Sequence, residues 1–147
     1  MKNSMEIKIK ADLKNVSTIR LAVSTFISNL NVTVDEIVDI KTAVSEAVTN
    51  AIEHGYEESN EENYVLVNVN LENDEDEIVE IIVTDFGIGI EDVSLAMTPE
   101  YTTKPEDEHA GMGFTIMESF MDEVLVESDN ESGTKIKLIK KLKRKHS

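Results

Sequence analysis

IIVTDFGIGI, residues 81 to 90, sets an apolar run directly before an aspartate and two glycines spaced by one residue. Ile78 to Thr84 reads as a β-strand and Tyr64 to Leu71 as another, and the turn-like stretch Glu72 to Glu77 between them makes the two a hairpin. An aspartate followed by glycines can simply reverse the chain. It can also recognise a ligand: Asp85 would accept a hydrogen bond from a purine amine, while Gly87 and Gly89 would let the backbone approach the base with no Cβ in the way. The strand alone does not choose between these.

Upstream, Met5, Ile7, Ile9 and Ala11 alternate with charged residues, the pattern of a strand with one buried face. The period then changes. Ile19, Ala22, Val23, Phe26, Ile27 and Leu30 recur at three- and four-residue steps and predict a helix over Asn15 to Leu30. Thr33 followed by Glu36 is a capping-box signature, and Val34, Ile37, Val38, Lys41, Val44, Val48 and Ala51 carry a second helix to Gly55. In that helix Glu46, Asn50 and His54 step by four beside the apolar run Val44, Ala47, Val48 and Ala51, where an unpaired carboxylate is costly. The stripe is either a solvated helix edge or part of a site.

Downstream, Asp85 to Gly111 holds both prolines and little periodicity, which predicts a long loop with at most a helical turn near residues 92–97. Gly111-Met112-Gly113-Phe114-Thr115-Ile116 then opens a helix, Gly113 to Phe120. Its glycines either release the loop or expose amides for an anion, and the run fits neither a Walker loop nor a dinucleotide fingerprint. Val124 to Glu127 and Thr134 to Leu142 read as strands joined by the turn Asp129 to Gly133. The order of elements predicts one α+β domain over 1–147, a two-layer sandwich of a mixed β-sheet with helices on one face.

Composition narrows the function. The absence of cysteine excludes a disulfide scaffold, a thiolate metal site and a catalytic thiol. No leader and no bilayer-length apolar segment is visible, so a cytoplasmic protein is expected. A net charge of −16 repels phosphate backbones and anionic lipid, which argues against direct nucleic acid or membrane contact and for protein partners. The basic end, residues 140–147, reads as a frayed, solvated tail.

The three clusters gain meaning from their order: a helical E-x-x-x-N, a D-x-G-x-G that begins 85 − 50 = 35 residues later, a loop, and a G-x-G that opens a helix. That arrangement resembles the N box and the first and last glycine boxes of the split-motif ATPases, which include histidine kinases, gyrase B, Hsp90 and MutL. Within that superfamily, the runs SEAVTNAIEHGY (45–56), YTTKP (101–105) and GMGFTIMESFMD (111–122) are similar to the sporulation anti-sigma-F family of serine kinases.

The resemblance implies the histidine-kinase-like Bergerat fold with ATP and Mg²⁺ as cofactors. It implies that Asn50 coordinates the metal, that Asp85 reads adenine and that Glu46 is the general base. It further assigns Gly87 and Gly89 to the base pocket, Gly111 and Gly113 to phosphate, and Thr134 to the water network beside adenine. Residues 91–110 would be a nucleotide lid in which Thr102, Thr103 and Lys104 close on the phosphates; His109 stands where the family often has arginine. Arg20 matches an arginine that touches both protein partners.

The implied activity is binding and inhibition of a sigma-F-type sporulation sigma factor, with MgATP-dependent phosphorylation of its anti-anti-sigma antagonist on serine, by a homodimer. A general-stress anti-sigma kinase of the same family and a catalytically idle ATP-dependent binding module are the alternatives. A sensor kinase would need a helix pair bearing a phospho-accepting histidine, and a free-standing domain is instead expected to act on a bound partner.

Overall fold

The structure is a computed structural model that describes residues 2–55, 63–87, 113–129 and 133–142. Period-two segments become five strands, β1 (Lys2–Lys10), β2 (Tyr64–Asn73), β3 (Glu77–Asp85), β4 (Glu123–Asp129) and β5 (Gly133–Lys141). The helical segments become α1 (Val16–Ile27), α2 (Val34–Gly55) and α3 (Gly113–Phe120). The strands form one sheet in the order β1-β2-β3-β5-β4. Hairpins alternate with helical connections along the chain, and each of the four neighbouring pairs runs antiparallel.

The alternation in each strand puts apolar side chains on the face that the helices cover. Val67, Val83, Ile136 and Val126 lie in one row across β2, β3, β5 and β4, and Val69, Ile81, Leu138 and Val124 in the next. Ile19, Val23 and Ile27 of α1, the α2 stripe from Ile40 to Ala51, and Phe114 and Met117 of α3 close over them. α2 is the hub, packed against α1, α3, β3 and β5. The opposite face mixes polar residues with partly buried Leu66, Ile82 and Ile139: the Asn70 amide donates to Glu80 Oε1 at 3.0 Å, and Lys137 lies 3.9 Å from Glu80.

Local chemistry sets the helix ends. The capping box forms as expected, with Thr33 N–H donating to Glu36 Oε1 at 2.9 Å and Glu36 N–H to Thr33 Oγ1 at 3.1 Å. α1 begins one residue later than predicted, because a 3₁₀ turn, Leu13–Asn15, capped by the Asp12 side chain, precedes it. It also ends three residues early, at Ile27. Leu30 N–H turns back to the Ile27 carbonyl, and the Asn29 amide takes up the Phe26 carbonyl at 2.8 Å, so the last turn tightens instead of continuing.

The basic end needs a correction. Lys140 and Lys141, which the sequence reading placed both in the strand Thr134 to Leu142 and in a frayed tail from residue 140, belong to β5, because the strand pairs through Lys141 with Ile78. Lys140 is held on two sides: its ammonium donates to the Phe120 carbonyl at the end of α3 (2.6 Å) and meets Asp39 of α2 at 3.3 Å. It thereby caps α3 with a positive charge, where the helix dipole favours one. Lys140→Met should keep the aliphatic stem but orphan the Phe120 carbonyl and the Asp39 carboxylate, lowering unfolding free energy by about 1 to 3 kcal/mol in urea denaturation. A loss below a few tenths would mean that the clip is ornamental.

Candidate functional site

At one end of the covered sheet face the chemistry changes. The row that continues Ile9 and Val65 is completed by Asp85, Thr134 and Ser128 on β3, β5 and β4. Asp85 and Thr134 are only 3% and 4% exposed. Burial pushes the Asp85 carboxyl up from its ordinary 3.8 to about 6, and the N–H groups of Gly87 and Thr134 pull part of the way back. Gly87 N–H donates to Asp85 Oδ1 at 3.1 Å, so the aspartate also organises the turn that leaves β3. Just beyond, the Phe86 ring sits 5.1 Å from that of Tyr64, whose face carries the Lys8 ammonium at 4.1 Å.

Two residues of this corner escaped the sequence reading. Gly133 has φ +89°, and a Cβ on it would stand 2.2 Å from the Asp85 carbonyl oxygen, so only glycine lets β5 start against the end of β3. Its signal was its place in the turn before Thr134. Ser128 lies across from Thr134, with the two hydroxyl oxygens 3.0 Å apart, and is 3.3 Å from the Gly133 carbonyl. A serine in a short strand carries no comparable signal.

The second part of the site comes from α2 and α3. Glu46 and Asn50 are half-buried on α2, not on a free solvated edge. Glu46 Oε2 lies 3.8 Å from where a Cβ on Gly113 would stand, which brings the helical carboxylate to the start of α3. That separation is ordinary van der Waals contact, so protein packing does not require glycine there.

On its other side Glu46 lines a depression of about 290 Å³ with Arg20, Val38, Lys41, Thr42 and Ser45. Arg20 therefore does not stand apart on a remote surface; it shares a cavity with Glu46. Lys41, read from sequence only as part of the helical pattern, joins it. α1, α2 and α3 carry no other lysine or arginine. Gly89, Thr102, Thr103, Lys104, His109 and Gly111, with the expected lid 91–110, lie outside the described residues, as do the His54 side chain and His146.

This architecture can be set beside known proteins. The model of the histidine kinase-like ATPase domain matches residues 9–140. The chain belongs to the histidine kinase-like ATPase family. Within that family, proteins called anti-sigma F factor from Priestia megaterium and Bacillus subtilis are 52% and 51% identical to it. Those matches cover 97% and 98% of this chain and 95% and 96% of theirs. Among solved structures, the RsbU and RsbW domains of a Mycobacterium tuberculosis protein superpose with a TM-score of 0.70 at 22% identity, over 97% of this chain and 33% of that one. That likeness concerns the fold. No described helix of this ATPase domain is long and apolar enough to cross a membrane.

The site yields two measurements. Because the folded protein holds the Asp85 proton up to about pH 6 and the unfolded chain only to about 3.8, the unliganded domain should lose stability as pH rises through that window. Asp85→Asn should abolish this slope, stabilise the unliganded domain at pH 7 by about 1 to 3 kcal/mol, and weaken nucleotide binding tenfold or more. Equal denaturation midpoints for the two proteins at pH 5 and pH 7 would contradict the burial argument. The glycines should separate as well. Gly133→Ala should cost about 2 kcal/mol or more, whereas Gly113→Ala should fold at least as stably as the parent and show its defect only in ATP titrations.

Proposed function

We propose that the protein is an anti-sigma factor and ATP-dependent serine kinase, which binds a sigma-F-type sporulation sigma factor and phosphorylates a serine of its anti-anti-sigma antagonist. The observation that carries this reading is the apposition of Glu46 to the start of α3. A carboxylate of a partly buried helix stands beside a helix N-terminus, whose outward amides favour a phosphate group. The names of the half-identical relatives support the sigma-factor partner.

In this reading Asp85, aided by Thr134, accepts the exocyclic amine of adenine, and Gly87 and Gly89 admit the base. Gly111 and Gly113 give backbone amides to phosphate oxygens, while Thr102, Thr103 and Lys104 close over them from residues 91–110. The Asn50 side-chain carbonyl is a hard oxygen ligand that suits Mg²⁺, an ion that keeps few protein ligands and takes the rest from water and phosphate. When bound, the ion neutralises the charge that builds up on the phosphates.

The antagonist's serine enters over the depression that Arg20 and Lys41 share with Glu46. The serine oxygen bonds to the terminal phosphorus of ATP as its proton passes to a Glu46 carboxylate oxygen and the bond from that phosphorus to the bridging oxygen breaks. ADP and phosphoserine result, with Glu46 left protonated until it exchanges with water. Arg20 faces the partner, so the sigma factor and the antagonist compete for one surface of a cytoplasmic homodimer.

Two variants separate the chemistry from metal binding. Glu46→Gln should bind MgATP and sigma factor normally and lower single-turnover transfer to the antagonist by about 10² to 10⁴. Asn50→Ala should instead weaken MgATP binding itself. Transfer by Glu46→Gln at the parental rate would remove Glu46 as the base, and nucleotide binding with no transfer by the parent protein would make the domain a binding module.

A further inference from the structure

Phe114 and Met117 hold α3 in the core by apolar contact, and apolar burial is non-directional. It makes the helix pack without fixing where along its own axis it stops. Directional bonds do that, and they gather at the C-terminal end. The Phe120 carbonyl, one of those that a helix leaves free in its last turn, accepts from the Lys140 ammonium at 2.6 Å. Just beyond, Asp122 N–H donates to the Ile139 carbonyl at 2.9 Å, and the Asp122 carboxylate accepts from Lys141 N–H at 2.6 Å. Of these three bonds to β5, the one from Lys140 reaches the helix itself, and the same ammonium continues to Asp39 of α2 at 3.3 Å. The Lys140 side chain is only 15% exposed, so water competes little for it.

We propose that Lys140 is a positioning residue for phosphoryl transfer: by joining the Phe120 carbonyl of α3 to Asp39 of α2 it sets the axial position of α3, and so where Gly113 stands against Glu46. The proposal rests on the reading of Glu46 as the base and of the start of α3 as the phosphate site. α3 has 8 residues, so at 1.5 Å per residue it is a rod of about 12 Å. A rod that short bends little, and an axial shift at Phe120 arrives at Gly113 almost undiminished. Glu46 does not follow it, because α2 is also packed on α1, β3 and β5. Phosphate held by the amides of α3 would ride with the helix, while the carboxylate that takes the serine proton would stay. Loss of Lys140 therefore misaligns base and phosphate and leaves nucleotide affinity nearly intact.

The test takes three readings on the full chain: MgATP affinity by calorimetry, single-turnover transfer to the antagonist, and the amide resonance of Gly113 in the unliganded protein. Ile7→Ala, a core truncation on β1 at the far edge of the sheet, is the control for lost stability, and every variant is read at a temperature where it is folded. Lys140→Met should slow transfer about tenfold or more, keep MgATP affinity within about threefold, and shift the Gly113 amide. Ile7→Ala should keep the parental transfer rate and the parental Gly113 resonance. If Lys140→Met does not fold, Lys140→Gln, whose shorter amide can donate to one partner only, is read against the same expectations. Transfer within about twofold of the parent, or transfer and affinity falling together, would overturn the positioning role. An unmoved Gly113 resonance would overturn it by itself. A parent that binds MgATP and transfers nothing would overturn the kinase reading, and the Gly113 resonance then decides whether Lys140 sets the axial position of α3.

Discussion

A carboxylate that is 3% exposed at the end of an apolar sheet face is the constraint around which this domain is arranged. Ionised, Asp85 cannot be left there without donors, and the neighbouring backbone supplies them through Gly87 and Thr134. The turn after β3 closes on that carboxylate through the Gly87 N–H, and the glycine conformation at the start of β5 lets the next strand begin against the Asp85 backbone carbonyl. Its pKa, raised to about 6, measures how incomplete the compensation is without a ligand. Groups perturbed in this way gather where a protein binds or reacts, since a residue optimised for stability alone would be apolar here.

α2 transmits that arrangement to the rest of the site. It runs antiparallel to α3, and the two are tied at matching positions: Asp39 and Phe120 share Lys140 at one end, and Glu46 meets Gly113 at the other. Each tie lies seven residues along its helix from the other, 46 − 39 on α2 and 120 − 113 on α3. A clip on β5 at the far end therefore helps fix how the carboxylate and the glycine amides face each other. This spacing matters in phosphoryl transfer, where catalysis is mostly alignment and a displacement of about 1 Å can cost about 10²-fold in rate.

The proposed chemistry divides the molecule by face. In that proposal the polar row and the start of α3 would serve the nucleotide, and Arg20, Lys41 and the outer side of α1 and α2 would serve a protein partner. Glu46 touches both, being the side chain that lines the Arg20 depression and also abuts Gly113. In a chain of net charge −16, Arg20 and Lys41, the cations of α1, α2 and α3, both line that depression. Such a concentration of positive charge on an acidic body orients an approaching partner more than it adds affinity.

The amino-acid sequence by itself determined the elements and their order. Period-two alternation in β1, β2, β3 and β5, the three-and-four spacing in α1 and α2, and the Thr33 and Glu36 box are local signals, and they gave α2 to the residue and the other boundaries to within a few. Asp85 was legible too, through its place in the order of three clusters and the family they resemble, since a strand-terminal aspartate before glycines can by itself be a plain turn. Tertiary structure alone decided what depends on elements distant in sequence. It made each of the four described strand pairs antiparallel, set Lys140 of β5 as a clip between two helices, and put Arg20 into the cavity of Glu46. It also set the Ser128 and Thr134 hydroxyls 3.0 Å apart. The physical reason is the same in each case: strand register and helix packing bring together groups from separate segments, and no periodicity within one segment records which groups will meet.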